Sequence, residues 1–186
     1  MRQLTNLELV LLGILAQDPL SGYSLRKQFA TTPLGHFSDS PGSIYPALQR
    51  LRRRGLLRIL KEKPANRRRA QRFAATPKAR KELRHWLHGS ITRHEVLADF
   101  DGLLLRFVFR ARLFGESSAL QFVVDLGKQV LHIIRELETY LAGPGRALPT
   151  AGRLAVESGL EGYRGNMRWI ERATAELGGA NHEQIE

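Results

Sequence analysis

Residues 40–57 read SPGSIYPALQRLRRRGLL, a run that holds a helix start, a buried stripe, a basic face and a helix stop. With Ser43 as N-cap, its hydroxyl can accept one of the free first-turn amides. Pro46 then falls at the third helical position, where a missing N–H leaves no bond unmade. The spacing predicts a helix to Arg54, with Gly55 at the left-handed position beyond its end and Leu56 folding back on the last turn. Ile44, Leu48 and Leu51 share one face at spacings of four and three. The opposite face carries Ser43, Tyr45, Gln49, Arg50 and Arg53, groups that hydrogen-bond base edges and phosphates or pack on thymine methyls. A basic amphipathic helix taken alone is as readily a solvated surface helix, so its flanks decide between the two.

Upstream, Leu4 to Ala16 is almost continuously apolar, as a buried helix would be, and Asp18-Pro19 ends it. Ser21 caps a second helix, Gly22 to Phe29, which turns Leu25 and Phe29 inward. A polar loop with Pro33 and Gly35 leads to the third helix, and together the three form a helix-turn-helix arrangement. Downstream, Leu57 to Lys61 alternates as a strand does, a proline turn follows over Lys63 to Asn66, and Arg69 to Ala74 returns as a second strand. The tip of this hairpin carries Lys63, Asn66, Arg67, Arg68 and Arg69, a basic wing suited to a minor groove or a phosphate backbone. Thr76-Pro77 starts a fourth helix running to about His88, with Ala79, Leu83, Trp86 and Leu87 on its apolar side.

Charge divides the chain at the same place. Up to Ser90 there are 18 Lys and Arg against 5 Asp and Glu, and from Ile91 onward 11 against 13, so the excess positive charge lies entirely in the first half. Concentration on one module is the expected footprint of a nucleic-acid-binding surface.

The segments LTNLELVLLGILAQDPLSGYSLRKQF, SPGSIYPALQRLRRRGLL and RFAATPKARKELRHWL, in this order and spacing, resemble the PadR family of bacterial transcriptional regulators. The resemblance covers about the first 88 residues with specific motifs. It implies a homodimer on a two-fold pseudo-palindromic DNA operator, usually acting as a repressor and released by a small molecule or an altered cellular condition. Carried over by position, it implies DNA contacts from Ser21, Gly22 and Tyr23 at the opening of the second helix. It implies the same for Ser40, Gly42, Ser43, Tyr45, Pro46 and Arg50 at the third helix, and for Arg67 to Arg69 at the wing. Ser24 stands where the family usually has a glutamate that would complete a capping box, which predicts a weaker helix start. Phe73 replaces a tyrosine, Ala75 a leucine and Ala79 a glycine.

The second half reads as three helices with apolar seams. The first runs from Leu97 through Phe100, Leu104, Phe107 and Ala111 and closes at Phe114-Gly115. The second carries Val123, Gly127, Val130, Ile134, Leu137 and Leu141 and ends at Gly143-Pro144-Gly145. The third carries Val156, Leu160, Tyr163, Met167, Ile170, Thr174 and Leu177. Helices gain most of their stability by packing, so dimerisation through these seams is expected, with Leu97, Phe100, Leu104, Phe107, Val123, Val130, Ile134, Leu137, Leu160, Tyr163, Met167 and Ile170 at the interface. The large apolar side chains of this region also suit a small apolar or aromatic effector, although such residues at helical spacing more often form plain core.

The expected architecture is therefore mainly α: a winged helix-turn-helix domain with a small two-stranded wing over 1–90, a coiled-coil-like helical dimerisation domain over 91–178, and a frayed tail over 179–186. No cysteine is present, so thiol catalysis, thiolate zinc sites and disulfides are excluded. His85, His88 and His94 lack the ligand spacing of a zinc site, and no phosphate-cradling glycine motif or nucleophile elbow occurs. No catalytic residue, metal or cofactor is expected. Leu9 to Ala16, bracketed by Glu8 and Asp18, is too short to span a bilayer, so the expected location is the cytoplasm. Two functions fit: a dimeric sequence-specific regulator, or a basic architectural or RNA-associated protein that only neutralises phosphate.

Overall fold

The structure, a computed structural model, describes residues 4–32, 41–60 and 71–183. It divides into two compact units, Met1–Gly89 and Ser90–Glu186.

In the first unit, helix α1 (Asn6–Leu15) is buried on every side from Leu7 onward, as its almost continuously apolar sequence requires. Thr5 starts it with a capping box, its hydroxyl accepting the Glu8 amide while the Glu8 carboxylate accepts the Thr5 amide. Helix α2 (Gly22–Thr31) turns Leu25 and Phe29 into the core. It starts without the family's glutamate because Ser21 Oγ accepts the Ser24 amide at 3.0 Å and lies 2.9 Å from the Ser24 hydroxyl, so the residue at the glutamate's place joins the cap itself. Helix α3 (Ile44–Arg53) buries Ile44, Ala47, Leu48 and Leu51 completely against α1 and α2.

The two ends of α3 differ in how they match expectation. Pro41–Ser43 already forms a 3-10 turn, so Ser43 has helical backbone angles and makes no capping bond from its side chain, which corrects its expected role as N-cap acceptor. The stop is as read. Gly55 has φ 71°, its amide donates to Arg52 O at 2.9 Å, and the Leu56 amide reaches back to Leu51 O at 2.9 Å, closing a Schellman motif over a fully buried Leu56.

The wing strands β2 (Leu57–Leu60) and β3 (Arg72–Ala75) pair antiparallel with Leu57 opposite Ala75 and Ile59 opposite Phe73. A two-residue strand β1 (Leu20–Ser21) adds to the outer side of β3, with Leu20 opposite Phe73. The predicted two-stranded wing is thus widened by β1 into a three-stranded sheet, in the order β1-β3-β2. Helix α4 (Pro77–His88) begins at Thr76, whose hydroxyl accepts the Ala79 amide and donates to Gly55 O at 2.8 Å, tying its start to the end of α3.

The second unit holds four helices among its described residues: α5 (Arg93–Ala98), α6 (Phe100–Phe114), α7 (Glu116–Ala142) and α8 (Thr150–Glu183). The single helix expected from Leu97 is broken at Asp99. There the backbone leaves the helical region and the carboxylate accepts the Gly102 amide at 3.0 Å, ending one helix and capping the next. Helices α7 and α8 run antiparallel along each other. Gly127 allows the close approach: a Cβ there would lie 3.1 Å from Ile170 Cγ2. Gly178 and Gly179 do not stop α8, which continues to Glu183.

Candidate nucleic-acid interface

Helix α3 presents its polar side because its apolar side is fully committed to the core. Tyr45, Pro46, Arg52 and Arg53 are exposed, with Gln49 and Arg50 half-buried beside them. The ring of Tyr45 leans over Gly22 at the start of α2, and Tyr23 next to it is the most open aromatic among the described residues, 68% exposed. The expected residues Gly22, Tyr23, Tyr45, Pro46, Gln49, Arg50 and Arg53 are therefore drawn to the first turns of α2 and to α3, and Gly42 is exposed just ahead of α3. Ser21 is not part of this open surface: it is buried and its hydroxyl is used as the α2 cap. Ser40, Lys63, Asn66, Arg67, Arg68 and Arg69 lie outside the described residues.

The net positive charge lies in the first unit, while exposed Arg112, Arg135, Arg146 and Arg168 of the second unit also make no ion pair with another described residue. Arg26, Lys27, Arg52, Arg53 and Arg58 are exposed, and their cationic groups make no ion pair with another described residue. In the second unit Arg93 pairs with Glu136, Lys128 with Asp125, Arg153 with Glu157, and Arg164 with both Glu138 and Glu161. Charges left uncompensated over one face raise the local potential and draw polyanions, whereas internally paired ones do not.

Two charged residues of structural weight were not legible as site members. Glu8, only 4% exposed, accepts Arg50 Nε at 2.8 Å, and Arg54 stands behind it with Nη1 at 3.8 Å. The sole sequence signal was a carboxylate inside an apolar run. Arg106 is buried in the second unit against the Phe122 ring, 5.3 Å from its centroid, and pairs with Glu95 at 3.0 Å. Burial pulls its guanidinium below the usual arginine range and Glu95 opposes that pull, while the neighbouring Arg110 adds to it.

The residues expected at a dimer seam fall into two groups. Val123, Val130, Ile134, Leu160 and Ile170 are buried in the core of this unit itself, where the seams of α6, α7 and α8 close on one another. Phe100, Phe107, Leu137, Tyr163 and Met167 are half-buried against that core, Leu104 is half-buried, and Leu97 is exposed. His85, His88 and His94 form no metal-holding group, since no cluster of three or more such ligands occurs among the described residues. No described helix is long and apolar enough to cross a membrane.

A helix-turn-helix whose third helix is seated by its apolar face, followed directly by a two-stranded hairpin, defines the first unit as a winged helix-turn-helix domain. Residues 11–85 match the model of the transcriptional regulator PadR-like family. A segment of 56 residues is 41% identical to the transcriptional regulator YqjI of Escherichia coli (strain K12), covering 30% of this chain and 27% of that protein, so the match spans about a quarter of the relative's length. Among solved structures, Bacillus subtilis PadR in complex with operator DNA is similar over 95% of this chain and 99% of that one, at 21% identity and a TM-score of 0.43. The PadR-like transcriptional regulator BC1756 from Bacillus cereus is similar over 94% and 99%, at 20% identity and a TM-score of 0.41.

Proposed function

We propose that the protein is a homodimeric, sequence-specific DNA-binding regulator of transcription, a repressor whose hold on its operator is released by a small apolar or aromatic molecule. The observation that carries the reading is the seating of α3. Four side chains fully buried on one side fix the helix, and the polar side that remains outward bears Tyr45, Gln49, Arg50 and Arg53 in one row. A helix so held can enter a major groove with fixed register, and discrimination between base pairs needs that register. The unpaired cations of α2, α3 and β2 supply the sequence-independent attraction to phosphate.

Dimerisation is assigned to the second unit on its exposed apolar side chains. Leu97, Val108, Phe114, Tyr140 and Leu154 are each more than a third exposed, and large apolar groups on a charged helical surface favour burial against a partner. A two-fold dimer sets two recognition helices about 34 Å apart, one turn of DNA. The competing reading is a basic architectural protein that binds any duplex or RNA. Selection of bound fragments from random duplex DNA, with the molar mass of the free protein measured by sedimentation, tests the proposal. A two-fold symmetric motif and a dimer mass support it; bound fragments without a shared motif, or a monomer mass, overturn it.

A further inference from the structure

We propose that Glu8 is a positioning residue for Arg50, holding one edge of its guanidinium so that the opposite edge is presented to a base edge in the major groove. The inference rests on the sequence-specific reading above. It starts from where the carboxylate sits. Glu8 belongs to α1, the most deeply buried helix of the first unit, and its side chain is 5% exposed. Both oxygens are occupied: Oε2 accepts the Thr5 amide at 3.2 Å in the capping box, and Oε1 accepts Arg50 Nε at 2.8 Å. Arg54 Nη1, 3.8 Å from Oε2, adds positive charge from one turn further along α3. A carboxylate fixed from the α1 side is a rigid post, since it cannot turn without undoing the helix cap.

Arg50 is attached to this post by Nε alone. Its two Nη groups make no bond with another described residue, and its side chain stays 41% exposed. A guanidinium is planar, so fixing the Nε edge fixes the plane and the direction of the remaining fork. An arginine fork is the group that pairs bidentately with O6 and N7 of guanine. A surface arginine without such a post samples many rotamers and loses that freedom on binding, whereas a pre-oriented one has already lost it. The same ion pair bridges residues 42 positions apart, so the chemistry that orients the arginine also ties α3 to α1.

The test uses the full chain as wild type, Glu8→Gln, Arg50→Ala and the double variant, each titrated at fixed salt with a fragment selected from random DNA and with its scrambled version. Glutamine keeps the capping box and removes the charge that holds Nε. Glu8→Gln is expected to lower the preference for the selected fragment about tenfold, with scrambled binding little changed, and to have no further effect once Arg50 is alanine. An unchanged preference, a weakening equal on both fragments, or the same loss in the Arg50→Ala background would overturn the proposal. Urea unfolding of each variant establishes that it is folded at the titration temperature. If Glu8→Gln is not, Arg50→Lys takes its place, since lysine keeps the charge but has no Nε edge. It is expected to show the same loss, and an unchanged preference there overturns the proposal as well. A wild-type protein with no preference at all would remove the sequence-specific reading itself, while a preference indifferent to Glu8 removes only its positioning role.

Discussion

The ring of Tyr45 lies over Gly22 so closely that a methyl group at Gly22 would sit 2.6 Å from Tyr45 Cε1. This glycine is needed for space, because it lets the first turn of α3 settle on the first turn of α2. Gly22→Ala is expected to destabilise the protein by about 1–3 kcal/mol through overpacking. Most of that loss should disappear in the double variant Gly22→Ala, Tyr45→Ala, where no ring is left to displace. Urea unfolding of both variants measures it, and equal losses in the two would contradict the assignment.

Gly55 and Gly115 are the two glycines with positive φ among the described residues, and they differ in kind. Gly55 has φ 71° with open space around its Cα, as a left-handed C-terminal residue does. Gly115, with φ 85° and ψ 170° between α6 and α7, lies in a region almost closed to other residues. Asparagine tolerates the first conformation and not the second. Gly55→Asn should therefore lose less than about 1 kcal/mol, and Gly115→Asn about 1–3 kcal/mol, by chemical denaturation.

Arg106, buried, and Glu95, one-third exposed, form a pair in which the arginine is the more costly partner to strand. Glu95→Gln keeps the Thr92 capping box but leaves the cation with weaker compensation, and is expected to destabilise by about 1–3 kcal/mol, discounted because Glu95 is one-third exposed. Arg106→Met removes the buried charge while preserving the packing on Phe122, and should lose less. A larger loss in Arg106→Met than in Glu95→Gln would contradict this ordering.

Much of the architecture was legible because it rests on local signals. The Gly55 stop, the Thr76-Pro77 start and the apolar spacing of α3 each follow from a few neighbouring residues, and each stands where those residues put it. What was not legible depends on partners distant in sequence. Strand β1 is two residues long and exists only because β3 offers it an edge. The seams of the second half give spacing but not the surface they close on, and Val123, Val130, Ile134, Leu160 and Ile170 pack on one another within the chain. Glu8 is one acidic letter in an apolar run until α3 is laid against α1. The start of α3 failed for a nearer reason: Pro41 opens a 3-10 turn ahead of Ser43, which takes the serine out of the conformation in which its hydroxyl can cap.

The polar row of α3 and the wing strand should behave differently in titrations. Gln49→Ala is expected to reduce discrimination between selected and scrambled DNA, each good base contact being worth about 1–3 kcal/mol. Arg58→Ala, on the exposed side of β2, should weaken binding to all sequences alike and lower the salt slope by about 1. Salt-dependent titrations of both variants on both fragments check this, and indistinguishable profiles would contradict the division of roles.

Burial separates core from interface in the second unit. Val130 is fully buried and Leu154 is 53% exposed. Val130→Asp should unfold the helical unit, seen as lost helical circular dichroism. Leu154→Glu should leave the fold intact and weaken self-association, seen as a lower mass at sedimentation equilibrium. A Leu154→Glu variant that associates as tightly as wild type would place the dimer surface elsewhere.

The central claim is that the outward row of α3 reads sequence. Its most direct test is the ratio of Kd values of the wild-type protein for the selected fragment and for its scrambled version, taken at one near-physiological salt concentration. A ratio of at least about 1,000 is the predicted result. Equal Kd values would contradict it and leave a basic protein that binds phosphate without reading bases.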